Sequence, residues 1–102
     1  MRKLVLESKF YRQFPFHKLA VDEPIRQLDA WIQQTLDTVD EGDLWFVIVR
    51  INNKGSFAVF DAAHAPQFEF GNHARYSSYV WVDFESFFTR NKQRIAEMCY
   101  TT

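Results

Sequence analysis

Length, charge and cysteine content already limit what this chain can be. With 102 residues and a formal net charge of −1, it holds one domain, residues 1–102, without the strong positive charge typical of nucleic-acid-binding proteins. Its single cysteine, Cys99, excludes an internal disulfide, and three glycines exclude a glycine-rich phosphate-binding loop. We therefore expect a small, soluble, cytoplasmic domain that has no cofactor and no membrane-spanning segment.

The N-terminal segment predicts one strand followed by irregular structure. Alternation over residues 3–9 is typical of a strand, with Leu4, Leu6 and Phe10 on an inner face and Glu7 and Lys9 facing outward. Pro15 disfavours helical conformation at the residue before it. The aromatic residues that follow the strand are therefore predicted to be extended or irregular.

The next segment predicts an amphipathic helix of four to five turns. Asp22-Glu23-Pro24 has the composition of a helix start, with an acidic cap and a proline in the first turn. Gly42 marks the end of the segment. Apolar residues recur between these signals at three- and four-residue steps, namely Ile25, Leu28, Trp31, Ile32, Leu36 and Val39.

A β-hairpin is predicted at the centre of the chain. Two β-rich runs, 44–51 and 56–62, flank Asn52-Asn53-Lys54-Gly55, which contains residues that tolerate positive φ. Both faces of the first run are apolar, with Arg50 as its only interruption. Because a strand with one face in water alternates apolar and polar residues, this strand is predicted to be central and covered on both sides.

The last part of the chain predicts one more strand and a second helix. The strand is assigned to 76–82, and Asp83 is predicted to cap the helix after it. Apolar residues at helical spacing support that helix, namely Phe84, Phe87, Phe88, Ile95 and Met98.

The resulting order, β-α-β-β-β-α, predicts an α+β fold. We expect a single two-layer domain in which a mostly antiparallel sheet carries both helices on one face. The other face would then hold more aromatic surface than a monomer normally exposes, in particular Phe46, Ile48, Phe60, Tyr79 and Trp81. This surplus predicts that a protein partner or a second copy of the chain covers the open face.

A second signal for a partner is the concentration of acidic residues in one segment. Residues 20–43 contain seven acidic residues and a single basic one, Arg26. A chain polarised in this way can present an acidic face to a basic partner, as small inhibitor and immunity proteins do. The predicted partner-binding residues are therefore the acidic Asp29, Asp37, Asp40, Glu41 and Asp43 and the aromatic Phe46, Phe60, Tyr79 and Trp81.

The sequence favours a non-catalytic protein, and we assign no catalytic or metal-binding residue from it. Two other functions are nevertheless compatible with the sequence. Single-stranded nucleic acid could stack on the aromatic residues Tyr76, Tyr79, Trp81 and Phe60, assisted by Arg50, Lys54 and Arg75. A metal-dependent hydrolase could use the loop residues Asp61, His64, Glu69 and His73. Their irregular spacing on a proline-containing loop makes the metal site the weaker of these alternatives.

Overall fold

In the computed structural model, which describes residues 2–21 and 23–100, a six-stranded sheet lies between helices. The strands are β1 (Arg2–Tyr11), β2 (Leu44–Ile51), β3 (Gly55–Asp61), β4 (His73–Tyr76), β5 (Tyr79–Asp83) and β6 (Cys99–Tyr100). The helices are α1 (Phe16–Ala20), α2 (Arg26–Leu36) and α3 (Phe84–Met98), with a 3-10 helix at Ala62–Gln67. Within the described ranges, no helix combines the length and the apolar content needed to cross a bilayer.

The sheet is mixed and mostly antiparallel, as predicted for the α+β class. Its strand order is β4-β5-β3-β2-β1-β6. The pairs β1-β2 and β1-β6 are parallel, and the other three pairs are antiparallel. Because neighbouring parallel strands need a crossover connection, the chain from β1 to β2 passes over the sheet through α1 and α2.

The predicted central hairpin is confirmed, and its turn chemistry explains it. β2 ends at Ile51 and β3 starts at Gly55, so the turn contains the three residues between them. Asn53 has φ 63° and Gly55 has φ 97°, both in the left-handed region that these residue types tolerate. On β2, side chains of both parities are buried, from Leu44 through Val47 and again at Val49 and Ile51. This strand is therefore covered on both sides, as its apolar pattern indicates.

The start of α2 differs from the prediction. The helix begins at Arg26, and the residue before it, Ile25, is extended and has no side-chain cap of its own. The predicted acidic cap, Asp22, lies outside the described residues. The backbone N–H of Ile25 instead donates a 2.7 Å hydrogen bond to the hydroxyl oxygen of Tyr76, so a distant residue satisfies this helix end.

The predicted cap of the last helix is confirmed. A carboxylate oxygen of Asp83 accepts a 2.9 Å hydrogen bond from the backbone N–H of Ser86 in the first turn of α3. Further along this helix, the buried Asn91 amide donates to the carbonyl of Glu69 at 2.7 Å and accepts from the Glu69 N–H at 2.8 Å. These bonds hold the segment before β4 against α3.

Four elements were not anticipated from the sequence. The single strand predicted over 76–82 is two antiparallel strands, β4 and β5, joined by a tight turn in which Ser77 has φ 54°. The short helix α1 and the 3-10 helix occupy segments predicted to be irregular. The chain after α3 adds β6 beside β1, so Cys99 is buried at a sheet edge.

The prediction that both helices lie on one face is wrong. The apolar residues of α2, including Leu28 and Ile32, pack with one face of the sheet, and those of α3, including Phe87 and Ile95, pack with the other. The central strand already requires this arrangement, because side chains of both its parities need an apolar cover. The domain therefore has three layers, helix, sheet and helix.

The prediction of an open aromatic sheet face is also wrong. Phe46 and Phe60 are 0% exposed under α3, and Trp81 is 5% exposed on the α2 side. The aromatic segment after β1 completes the cover there, since the ring of Phe14 stacks on that of Trp81 with centroids 4.7 Å apart. The apolar surface of both sheet faces is thus largely shielded within one molecule.

Candidate protein-binding surface

The four aromatic residues predicted to bind a partner do not form a surface. Phe46 and Phe60 contact each other in the core beneath α3, with ring centroids 5.6 Å apart. Trp81 and Tyr79 lie on the opposite face of the sheet, where Tyr79 is half-buried and meets the ring of Trp45 edge-on at 5.7 Å. Their burial stabilises the fold instead of providing a contact area.

Tyr79 lies in an environment that disfavours its ionised form. Burial raises the pKa of its hydroxyl above the ordinary 10.0, and the negative charges of Asp61 and Asp29 raise this pKa further. The phenol therefore stays neutral at physiological pH. In this state it can donate a hydrogen bond but cannot act as a base.

Asp29 is tied to the fold through a buried tyrosine. The hydroxyl of Tyr76 donates a 2.6 Å hydrogen bond to a carboxylate oxygen of Asp29 and accepts the N–H of Ile25. Asp29 lies in the first turn of α2, where a negative charge is favourable at the positive end of the helix dipole. The position of this carboxylate thus has a structural explanation.

The other four predicted acidic residues gather at the opposite end of α2. Asp37 follows the last residue of the helix and lies about 12 Å along the axis from Asp29, at about 1.5 Å per residue. Asp40, Glu41 and Asp43 follow in the loop to β2. We call Asp37, Asp40, Glu41 and Asp43 the acidic patch. The five acidic residues predicted as one surface therefore divide into Asp29 and this patch.

Hydrogen bonds fix the loop that carries the acidic patch. One carboxylate oxygen of Asp43 accepts from the N–H of Asp40 at 2.9 Å, and the other accepts from the N–H of Lys3 on β1 at 3.3 Å. Gly42 allows the tight turn between them with φ 89°. The side-chain amide of Gln33 donates to Asp37 at 2.9 Å. Asp37, Asp40 and Glu41 stay exposed on this fixed loop.

The electrostatics of the acidic patch are unfavourable for the isolated protein. The last turn of α2 carries no basic residue, so the carboxylate of Asp37, directly after the helix, faces the negative end of the helix dipole without a compensating positive charge. A charge of the wrong sign at a helix terminus costs about 0.3–1 kcal/mol. A cationic surface placed against the acidic patch would remove this repulsion.

The structure does not assemble the metal site considered from the sequence. Asp61 caps the 3-10 helix by accepting the N–H of Ala63 at 3.0 Å. His73 is exposed on β4, with its Nδ1 3.0 Å from the carbonyl oxygen of Gly71. Across residues 2–21 and 23–100, no group of three or more His, Cys, Asp or Glu side chains is arranged to hold a metal ion.

The aromatic residues considered for nucleic-acid stacking are mostly buried. Tyr76 is 3% exposed, and its hydroxyl is hydrogen-bonded to Asp29 of α2. Phe60 is buried in the α3-side core and Trp81 in the α2-side core. The basic residues that were to assist them, Arg50, Lys54 and Arg75, are exposed. Stacking requires an accessible ring face, so this sheet offers bases no platform at those three rings.

The two faces of β1 are covered differently from the prediction, although Leu4, predicted to face inward, does pack against the α3-side core. Val5 and Tyr11 pack against the α2-side core, and Lys9 donates a 3.2 Å hydrogen bond to the side-chain oxygen of Gln34 on α2. The opposite side, predicted to be internal, leaves Leu6 48% exposed and Phe10 60% exposed. The alternation of β1 defines two faces, but only the placement of the helices decides which one is covered.

Comparisons with known proteins assign this chain to no family and to no function. The chain matches no protein-family model, and neither curated proteins nor solved structures give a significant match.

Proposed function

We propose that this chain is a non-catalytic, cytoplasmic protein-binding domain that engages a basic surface of another protein through the acidic patch. The observation that carries the proposal is the cluster of carboxylates beyond the negative end of α2, where Asp37 opposes the helix dipole while hydrogen bonds hold Asp37 and the loop from Asp40 to Asp43 in place. An arrangement that costs the free protein stability is expected where a partner compensates for it.

The physical role of the acidic patch would be to accelerate and orient association. Complementary charge raises association rates well above those of neutral surfaces, and a rigid loop avoids an ordering cost on binding. An inhibitor- or immunity-type role fits this mechanism, because the basic sites of nucleic-acid-handling enzymes are the natural complement of such a surface. A reducing compartment agrees with a chain whose single cysteine cannot form an internal disulfide.

The test begins with affinity capture from the native host, with nuclease treatment to remove ligands that are held through nucleic acid. Each captured protein is then purified, and its association with the wild type is compared with that of the triple variant Asp37→Asn/Asp40→Asn/Glu41→Gln by stopped-flow kinetics. We expect the association rate constant to fall by at least about tenfold in the variant, with a weaker dependence on salt.

A matched triple variant controls for the loss of charge alone. Glu69→Gln/Glu85→Gln/Glu97→Gln removes the same charge from exposed positions outside the acidic patch. It should bind the partner as the wild type does. Equal weakening by both triple variants, or no weakening by either, would contradict the proposal.

A further inference from the structure

The outer edge of β1 is a long strand edge that is left open. β2 pairs with β1 along Leu4–Tyr11 on one side, whereas β6 pairs on the other side only with Arg2 and Lys3. Among the residues that the structure describes, no strand lies beside Leu4–Tyr11 on that outer side. An open edge presents backbone donors and acceptors to any extended segment that can pair with them.

Hydrogen bonds at the two ends of β1 show which residues direct their backbone N–H and C=O groups to the open edge. The N–H of Lys3 donates to Asp43, directly before β2, and the carbonyl of Tyr11 accepts from Asn52, directly after β2. Odd-numbered residues therefore direct their backbone groups toward β2. Because these groups alternate along a strand, the even-numbered Leu6, Ser8 and Phe10 direct theirs to the open edge.

The same even-numbered residues carry the exposed apolar side chains of β1. Leu6 is 48% exposed, Phe10 is 60% exposed, and Ser8 between them is also exposed. The open edge thus combines free pairing capacity with apolar surface on one face. On the other face of this edge lie Glu7 and Lys9, both half-buried.

We propose that the outer edge of β1 pairs antiparallel with the same edge of a second copy of this chain, with Ser8 opposite Ser8 on the two-fold axis. In this register Leu6 lies opposite Phe10 of the second copy, and Glu7 lies opposite Lys9 of the second copy. The exposed apolar side chains cover each other, and each carboxylate meets an ammonium group across the strands. The edge is therefore complementary to itself, as a two-fold interface requires.

The neighbouring registers are less favourable. A shift by one residue would place even-numbered residues, whose backbone groups point to the open edge, opposite odd-numbered residues, whose backbone groups point toward β2. The hydrogen bonds between the two strands could then not form. A shift by two residues would place either Glu7 against Glu7 or Lys9 against Lys9 at the two-fold axis, and like charges directly opposite each other are destabilising. Of these registers, only the Ser8-centred one satisfies both the backbone and the charges. This interface uses a different surface from the acidic patch and does not depend on the proposed function.

Charge reversal tests the proposed register. Glu7→Lys would place lysines opposite each other twice, and Lys9→Glu would do the same with glutamates. By sedimentation equilibrium we expect a wild-type dimer, and a dissociation constant raised by about tenfold or more in each single variant. An equimolar mixture of the two variants would restore both opposite-charge pairs, so it should form a heterodimer about as tight as the wild-type dimer.

Matched variants at the far edge of the sheet serve as controls. Glu69→Lys, just before β4, and Arg75→Glu, within β4, change exposed charges by the same amount and should leave the dimer unchanged. Thermal unfolding of every variant, measured at concentrations below the dissociation constant, verifies that each monomer is folded. A wild type that stays monomeric up to millimolar concentration overturns the proposal. Single variants that dimerise as tightly as the wild type, or a mixture that fails to recover, also overturn it.

Discussion

At the scale of single residues, two tyrosines of the β4-β5 hairpin lie on the α2 side of the sheet, and one of them, Tyr76, is hydrogen-bonded to the start of α2. Tyr76 is buried, and its hydroxyl bridges the N–H of Ile25 and the carboxylate of Asp29. Tyr79 is half-buried on the same face of the sheet, in the negative field of Asp61 and Asp29. The hydrogen bonds of Tyr76 explain why α2 starts where it does without a side-chain cap of its own.

Tyr76→Phe should lower the free energy of unfolding by about 1–3 kcal/mol, because it leaves the buried N–H of Ile25 without its acceptor. Urea denaturation followed by circular dichroism measures the change. Tyr11→Phe is the matched control, since it removes the same hydroxyl from a half-buried ring on β1 and should change the stability by less than about 0.5 kcal/mol. Equal losses in the two variants would argue against the role of Tyr76 at the start of α2.

Tyr79 should make the protein less stable in alkali. In the unfolded chain the tyrosine loses its proton at its ordinary pKa of 10.0, whereas in the folded protein this pKa is raised. The folded state then binds more protons than the unfolded state, so stability falls as the pH rises from 10.0 toward the folded pKa. Melting temperatures measured across this range should fall less steeply in Tyr79→Phe than in the wild type. Parallel curves would contradict this assignment.

At the scale of elements, α2 has a favourable start and an unfavourable end. Asp29 in its first turn complements the helix dipole, whereas Asp37 directly after the helix opposes it. In α3 the corresponding start is stabilised by Asp83 and Glu85. The imbalance within α2 is the stability cost on which the proposed function rests.

Asp37→Asn should raise the free energy of unfolding by about 0.3–1 kcal/mol, because it removes an unfavourable charge and keeps the oxygen that accepts from Gln33. The gain should shrink at high salt, which screens exposed charges. Asp29→Asn is the matched comparison at the other end of α2 and should lower the stability. Urea unfolding at low and high salt measures both changes, and shifts of the same sign would contradict the dipole explanation.

At the scale of the whole molecule, the sheet separates two apolar cores. One core contains α2, the aromatic segment after β1 and the face of β2 that carries Val47 and Val49. The other contains α3 and the face that carries Leu44 and Phe46. Because each side chain of the sheet contributes to only one of these cores, the cores should respond to mutation independently.

Ile32→Val in the α2 core and Ile95→Val in the α3 core should each cost about 0.5–1.5 kcal/mol, and the double variant should equal their sum within about 0.5 kcal/mol. Phe60→Leu and Phe87→Leu provide the contrast, because these two rings stack at 5.1 Å in one core and their effects should not be additive. Chemical denaturation of both double-mutant cycles measures the coupling. Strong coupling between Ile32 and Ile95 would contradict the three-layer arrangement.

Features that depend on neighbouring residues could be predicted from the sequence alone. The hairpin turn at Asn53 and Gly55 follows from residues that tolerate positive φ, and the start of α3 follows from the carboxylate of Asp83. The central position of β2 follows from its two apolar faces. For the candidate site, the sequence identified the acidic residues that precede β2, because their proximity along the chain also places them close in space.

Only the tertiary structure decided how these elements meet. Periodicity defines the faces of a strand or helix but not which neighbour covers each face, so the opposite placement of α2 and α3 was not predicted, nor was the burial of Phe46 and Trp81. The helix start at Ile25 depends on Tyr76, a partner 51 positions away in the sequence. The exposure of Leu6 and Phe10 likewise depends on tertiary packing, since the α3-side core includes Leu4 but neither of these two residues. Each of these features is set by contacts between distant segments, which local sequence patterns do not encode.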